Sequence, residues 1–182
     1  MISINRATPA DCQTIVHIGK ISVAAAHRHS CDAKDLDAFV AKNYNADAIQ
    51  AELSDEKNIY HIIYCDGEPA GFSKIVLNAA HENIQATNVT KLDRIYLLPA
   101  FFDRKLGFDL LQFNIDLAKI NNQSGIWLYT WTGNERAVNF YKKTTVTIAN
   151  NHLILDFEVK YAAAIVGKNG LARVILVIRI MP

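Results

Sequence analysis

The stretch from Lys91 to Tyr141 constrains the fold of this chain most: KLDRIYLLPAFFDRKLGFDLLQFNIDLAKINNQSGIWLYTWTGNERAVNFY parses as strand, turn, long helix, strand, short helix. That order places the N-terminus of a helix beside the end of a strand. Unpaired amides and the helix dipole can hold an anionic group there. The rest of the chain reads as structure built around that stretch.

At 182 residues the chain has the length of one domain, residues 1–182. Hydrophobic residues make up 51% and charged residues 20%, a globular composition. Nineteen basic against eighteen acidic side chains leave a formal charge of +1, so there is no general electrostatic reason to bind nucleic acid or an anionic membrane. The N-terminus MISINRATPADCQ lacks an apolar signal-peptide core. The most apolar run, Leu171 to Ile180, is interrupted by Arg173 and Arg179 and falls short of the ~20 residues that span a bilayer. A cytoplasmic protein is the expectation. Cys12, Cys31 and Cys65 lie far apart with no C-x-x-C pair, which fits reduced thiols.

From the N-terminus, ISINRA alternates as a strand, and Thr8-Pro9-Ala10-Asp11 opens a helix through about Ala26. Helical spacing resumes from Leu36 to Leu53, with a break expected near Tyr44, where Asn43 and Asn45 flank it. Asn58 to Cys65 and Phe72 to Leu77 read as antiparallel strands joined at Asp66-Gly67. A polar loop covers 78–88, and a strand runs from Thr90 to Leu98. Asp103 to Asn122 predicts a long amphipathic helix, Gly125 to Trp131 a central strand and Asn134 to Lys143 a short helix capped by Asn134. TVTIANNHLILDFEVKY and ARVILVIRI predict two or three more strands around a turn at Gly167 to Gly170. The expected architecture is α/β (α+β), with a mixed, mainly antiparallel central sheet flanked by helices.

The middle of the chain resembles the GCN5-related N-acetyltransferases. The cofactor strand of that family is matched by Leu92-Asp93-Arg94-Ile95-Tyr96-Leu97, and its N-x-x-A-x-x-F-Y segment by Asn134-Glu135-Arg136-Ala137-Val138-Asn139-Phe140-Tyr141. The family loop Q/R-x-x-G-x-G/A meets Gly107 at its final position, but Phe102 stands at the first position and Lys105 at the middle glycine. The order of helices and the hairpin are most similar to the bacterial polyamine acetyltransferase branch.

This resemblance implies acetyl transfer from acetyl-CoA to a small-molecule amine, polyamines included, by direct attack. It implies that Phe102, Asp103, Arg104, Lys105, Leu106, Gly107 and Phe108 hold the pyrophosphate. The backbone of Ile95, Tyr96 and Leu97 would bind the pantetheine arm, and the Leu97 N–H would polarise the thioester carbonyl. Asn134 and Tyr141 belong to the same cofactor site, with Tyr141 the general acid: a phenol of reference pKa about 10 protonates a leaving thiolate of about 8.5.

Asp93 is the first candidate for the base, with His61 and Glu68 behind it. The plain structural alternatives are an aromatic pair closing the core for Tyr141, a solvated or ion-paired acid for Asp93, and a fully paired strand for 92–98. His27-x-His29-x-Cys31 reads as a polar helix end rather than a metal fragment, and Asp32, Asp35 and Asp37 as a helix start or as an attractor for a cationic amine. The alternative at the level of function is an acyl-CoA binder or interaction module without catalysis. Its support is the altered loop and Thr144-Thr145-Val146, where the family usually has Gly-Phe. A homodimer through the apolar C-terminal strand is a third expectation.

Overall fold

The computed structural model describes residues 1–28, 32–82, 84–131, 133–150 and 173–179. They fall into two compact units, one of Met1–Val76 with Arg94–Phe113, the other drawn from Leu77–Asp93 and Asn114–Pro182.

In the first unit, β1 (Ile2–Arg6), β2 (Ile59–Cys65) and β3 (Glu68–Val76) form an antiparallel meander. Its hairpin turns on Asp66 and Gly67, at φ 54° and 87°, the double left-handed conformation that Asp-Gly favours. Between β1 and β2, Thr8 and Asp11 close a short turn: the Thr8 N–H and hydroxyl both donate to Asp11 Oδ2, at 2.8 and 2.9 Å. Three helices follow, α1 (Cys12–His27), α2 (Ala33–Asn43) and α3 (Ala46–Ser54). The break falls at Tyr44, as expected. Asn45 caps α3, its side chain accepting the Ala48 N–H at 2.9 Å.

Strand alternation sorts this unit's core into two faces. Tyr60, Ile62 and Phe72 pack with Ile15, Ile18, Val23, Tyr44 and Ile49 from the helical side, and Tyr96 joins them. Ile63, Cys65 and Ala70 pack instead with Leu106 and Leu110, joined by Ile95, Leu97 and Phe101. Each fully buried side chain of this size contributes roughly 1.5–3 kcal/mol, so both layers matter to stability.

In the second unit, β5 (Gly125–Trp131) pairs in parallel with the first part of β4 (Val89–Leu97) and antiparallel along its whole length with β6 (Arg173–Arg179). Ile126 and Leu128 of β5 are buried, as are Ile115 and Ala118 of α4 (Leu106–Ile120). The strand order is β1-β2-β3-β4-β5-β6, with β4 and α4 contributing to both units. The sheet is mixed and mainly antiparallel, as the sequence implied.

Three boundaries differ most from expectation, the first being β3, which begins at Glu68 rather than Phe72. α4 starts at Leu106 rather than Asp103, because Asp103 and Lys105 take left-handed backbones incompatible with a helix. α5 (Glu135–Asn150) runs seven residues past Lys143, so residues 145–150 are helical rather than a strand. Helix extension is cheap once nucleated, and no Gly or Pro interrupts Thr144 to Asn150, so the β-branched residues there are overridden. The strands expected over 151–161 and the turn at Gly167 to Gly170 lie outside the described residues.

Candidate active site

The turn that opens α4 is built from strained backbone. After a 3-10 turn at Pro99–Phe101, Asp103 sits at φ 62° and Lys105 at φ 61°. Such conformations cost a non-glycine residue roughly 1–2 kcal/mol. Lys105 closes the first helical turn: its carbonyl accepts the N–H groups of Phe108 at 2.9 Å and Asp109 at 3.1 Å. The amides of Leu106 and Gly107 therefore have no acceptor within the helix, which is the donor set an anion needs. Arg104 and Lys105 are exposed beside them, Arg104 lying 5.5 Å from the centre of the Phe101 ring. Lys105, like Asp103, thus holds a backbone conformation that glycine adopts at least cost.

The strand next to this turn is held from three directions. Leu97 and Ile95 share a core cluster with Phe101 and Leu106, so this part of β4 and the turn are packed together. Ser22 of α1 donates its hydroxyl to the Leu97 carbonyl at 2.9 Å, and the Leu98 N–H donates to Ala70 at 2.8 Å. Gly71 is needed for a close approach: a Cβ there would overlap the Tyr96 carbonyl and lie 3.1 Å from Leu97 Cα.

Arg94 anchors the strand electrostatically. It donates to Glu52 Oε1 at 2.8 Å and to the Tyr60 hydroxyl at 2.7 Å, while Lys74 and Tyr60 each reach Glu52 Oε2 at 2.6 Å. Burial alone would raise the Glu52 carboxyl. Hydrogen bonds from Lys74 and Tyr60 and the charge of Arg94 more than offset that and hold it below the ordinary carboxylate value.

In the second unit, the β4–β5 ladder comprises Val89↔Gly125, Thr90↔Ile126 and Lys91↔Trp127, while β5 continues to Trp131 paired with β6. Around the end of that ladder lie Lys91, Asp93, Trp127, Tyr129 and, from the polar loop, His81. Lys91 Nζ is 2.6 Å from Asp93 Oδ1 and 5.5 Å from the centre of the Trp127 ring. His81 Nε2 is hydrogen-bonded to the Tyr129 hydroxyl at 2.7 Å. Asn134 caps α5, its side chain accepting the Ala137 N–H at 3.1 Å and its carbonyl the Val138 N–H at 3.0 Å. Tyr141 is buried, its ring 5.2 Å from that of Phe140 in an edge-on arrangement.

The sequence pattern of the Acetyltransferase (GNAT) family matches residues 31–145. The chain belongs to the acetyltransferase (GNAT) family. A protein of Lactobacillus delbrueckii subsp. lactis, described as an uncharacterized N-acetyltransferase in the pepI 3′ region, is 26% identical over 154 residues, covering 85% of this chain and 89% of that one. The PaiA N-acetyltransferase of Thermoplasma acidophilum, solved in complex with coenzyme A, superposes with a TM-score of 0.78 at 17% identity, over 98% of this chain and 99% of the other. The ribosomal-protein-S18-alanine N-acetyltransferase of Escherichia coli gives 0.65 at 15% identity, over 100% and 96%. These two structures share the fold. As a GNAT acetyltransferase, the chain uses acetyl-CoA as cosubstrate.

Within this GNAT chain, the expected site residues divide by unit. Ile95 to Leu97 and Phe102 to Phe108 belong to the first, Asp93, Asn134 and Tyr141 to the second. Asp93 is already ion-paired with Lys91. His61 is enclosed by the core edge-on to Phe113, at 4.7 Å, and its Nδ1 has no hydrogen-bond partner. Desolvation, reinforced by the Arg6 charge, depresses it to about 4, so it stays neutral at physiological pH but sits in packing. Glu68 is exposed on the hairpin. Asp32 caps α2, accepting the Lys34 N–H at 2.8 Å, which is the helix-start reading. His29 and Cys31 lie outside the described residues; among the described residues, no group of three His, Cys, Asp or Glu side chains could hold a metal. No described helix is long and apolar enough to cross a membrane.

Sequence reasoning passed over Ser22, Gly71, His81 and Tyr129. An isolated glycine inside a strand is a signal of close backbone approach and could have drawn attention to Gly71. The His81–Tyr129 contact joins residues 48 apart, and no local pattern announces it.

Proposed function

We propose that this GNAT acetyltransferase transfers the acetyl group of acetyl-CoA to a primary amine of a small molecule, polyamines among the candidates, by direct attack on the thioester. The observation that carries the reading is the turn opening α4, in which Lys105 has a left-handed backbone and the Leu106 and Gly107 amides have no helical acceptors. Diphosphate would be held by those amides together with the charges of Arg104 and Lys105; Phe102, Asp103 and Phe108 shape the turn. The backbone of Ile95, Tyr96 and Leu97 would carry the pantetheine arm, with the Leu97 N–H directed at the thioester oxygen.

Tyr141 is the proposed acid. Its phenol gives up a proton to the departing thiolate, and burial restricts the ring to few orientations. Asn134 supports this role by fixing the start of the helix that carries Tyr141. Asp93, drawn to Lys91, is the proposed acceptor-side carboxylate. Direct attack is preferred because the stretch from Lys91 to Tyr141 contains no cysteine that could carry an acyl group.

The test is a pair of measurements on one variant. Tyr141→Phe should retain acetyl-CoA binding, read as thermal stabilisation within a degree of wild type, and lose about a hundredfold in kcat. Full activity in Tyr141→Phe would remove the acid assignment. Absence of stabilisation of wild type by millimolar acetyl-CoA would remove the cofactor reading.

A further inference from the structure

At the end of the β4–β5 ladder, three rings meet pairwise edge-on: His81 to Trp127 at 4.6 Å, His81 to Tyr129 at 5.7 Å and Trp127 to Tyr129 at 5.3 Å. The group is braced as a unit. Trp127 Nε1 donates to the Ala79 carbonyl at 2.7 Å, the Ala79 N–H donates to Val89 at 2.8 Å, and Gln123 Oε1 accepts the Asn78 N–H at 3.0 Å. The loop bearing His81 is therefore tied at its base to β4 and to the residues before β5. His81 and Tyr129 are both half-buried, near enough to solvent to exchange protons. Ligands of open α/β sheets gather at the C-terminal ends of parallel strands, which is where β4 and β5 stop pairing.

An acceptor amine reaches an acetyltransferase mainly as an ammonium and cannot attack until it loses a proton. Asp93 is compromised for that task by the Lys91 ammonium 2.6 Å away. His61 is sealed in packing. The Tyr129–His81 pair has a hydroxyl that can take a proton while passing its own to an imidazole nitrogen 2.7 Å away.

We propose that Tyr129 and His81 form the proton outlet for the acceptor amine; this deepens the transferase reading and rests on it. R–NH3⁺ gives a proton to the Tyr129 oxygen as the Tyr129 O–H proton moves to His81 Nε2, leaving R–NH2 and an imidazolium. The nitrogen lone pair then attacks the thioester carbon, and the imidazolium releases its proton to water. Tyr129 is the catalytic residue of this step and His81 its positioning and proton-accepting partner. Among the described residues, the charged and titratable groups near the pair include Lys91 and Asp93 from β4, and Glu82, next to His81 and exposed.

The experiment is the pH profile of kcat/KM, with acetyl-CoA and an amine of pKa about 10, for wild type, Tyr129→Phe and His81→Gln. Tyr129→Phe keeps all three ring contacts and removes only the hydroxyl, so it tests chemistry even if His81→Gln loosens the loop. Wild type should hold its rate at pH 7, where most of the amine is still protonated. Both variants should fall about a hundredfold at pH 7 and approach wild type above pH ~10, where most of the amine is neutral without help. A wild-type profile in Tyr129→Phe overturns the proposal while leaving the transferase reading intact. Absence of thiol release from wild type with every amine tried overturns both.

Discussion

Acid should destabilise this protein in a way that a single substitution removes. His61 lies in β2 opposite Arg6 of β1 and Ser73 of β3, 6% exposed, with its ring against Phe113 and no partner for Nδ1. Burial and Arg6 lower it from 6.5 to about 4 in the folded chain. Below pH 6.5 the unfolded chain takes up a proton that the folded chain refuses, so stability is complete above that value and is lost as pH falls toward 4. At about 1.4 kcal/mol per unit, the full loss is roughly 3 kcal/mol, of which about 2 is reached by pH 5.

His61→Leu exchanges an unpartnered buried nitrogen for apolar surface of similar volume, and should be neutral or stabilising at pH 8. Urea midpoints at pH 8 and pH 5, converted to free energy, should show wild type losing about 2 kcal/mol more than the variant. Equal losses in the two proteins would refute the assignment of His61 as buried and neutral.

Three substitutions test the packing around the site. Gly19→Ala should destabilise the protein by roughly 1–3 kcal/mol in urea unfolding, because the new Cβ would collide with the ring of Tyr44, only 1% exposed, and this outweighs the ~1 kcal/mol by which alanine favours a helix. Gly71→Ala should displace β4 at Tyr96–Leu97 and raise KM for acetyl-CoA more than tenfold while the protein remains folded by circular dichroism; an unchanged KM would show that the close approach does not matter to the cofactor. Lys105→Gly should stabilise the protein by about 0.5–1 kcal/mol by relieving the left-handed strain at φ 61°, measurable as a higher urea midpoint, whereas a lower midpoint would mean that the lysine is held by contacts worth more than the strain.

Where one local rule decided the structure, the sequence was readable. Asp66-Gly67 could only turn a hairpin tightly, and both residues adopt positive φ. Asn45 could cap a helix after Tyr44, and does. Competition between rules hid the rest. The β-branched residues 144–147 argue for a strand, but they follow a capped helix with nothing to stop it. The left-handed backbone of Lys105 was equally hidden, because a lysine side chain says little about φ.

The packing of the strand against the turn was legible, because Ile95, Leu97, Phe101 and Leu106 are near neighbours in the chain and share one core cluster. Contacts made at long range were not. The Ser22 hydroxyl on Leu97 spans 75 residues, and the Arg94–Glu52 pair spans 42. The N-x-x-A-x-x-F-Y segment marked Asn134 correctly as a cap, and Tyr141 is buried beside Phe140, compatible with either an acid or a closing aromatic.

The measurement that bears most directly on the account is enzyme-dependent thiol release from acetyl-CoA with a panel of primary amines, spermidine included, coupled to mass analysis of the amine. The account predicts one N-acetylated amine formed per thiol released for at least one member of the panel. Saturable acetyl-CoA binding with no thiol release above background for any amine would contradict it, and would leave a protein that holds the cofactor without using it.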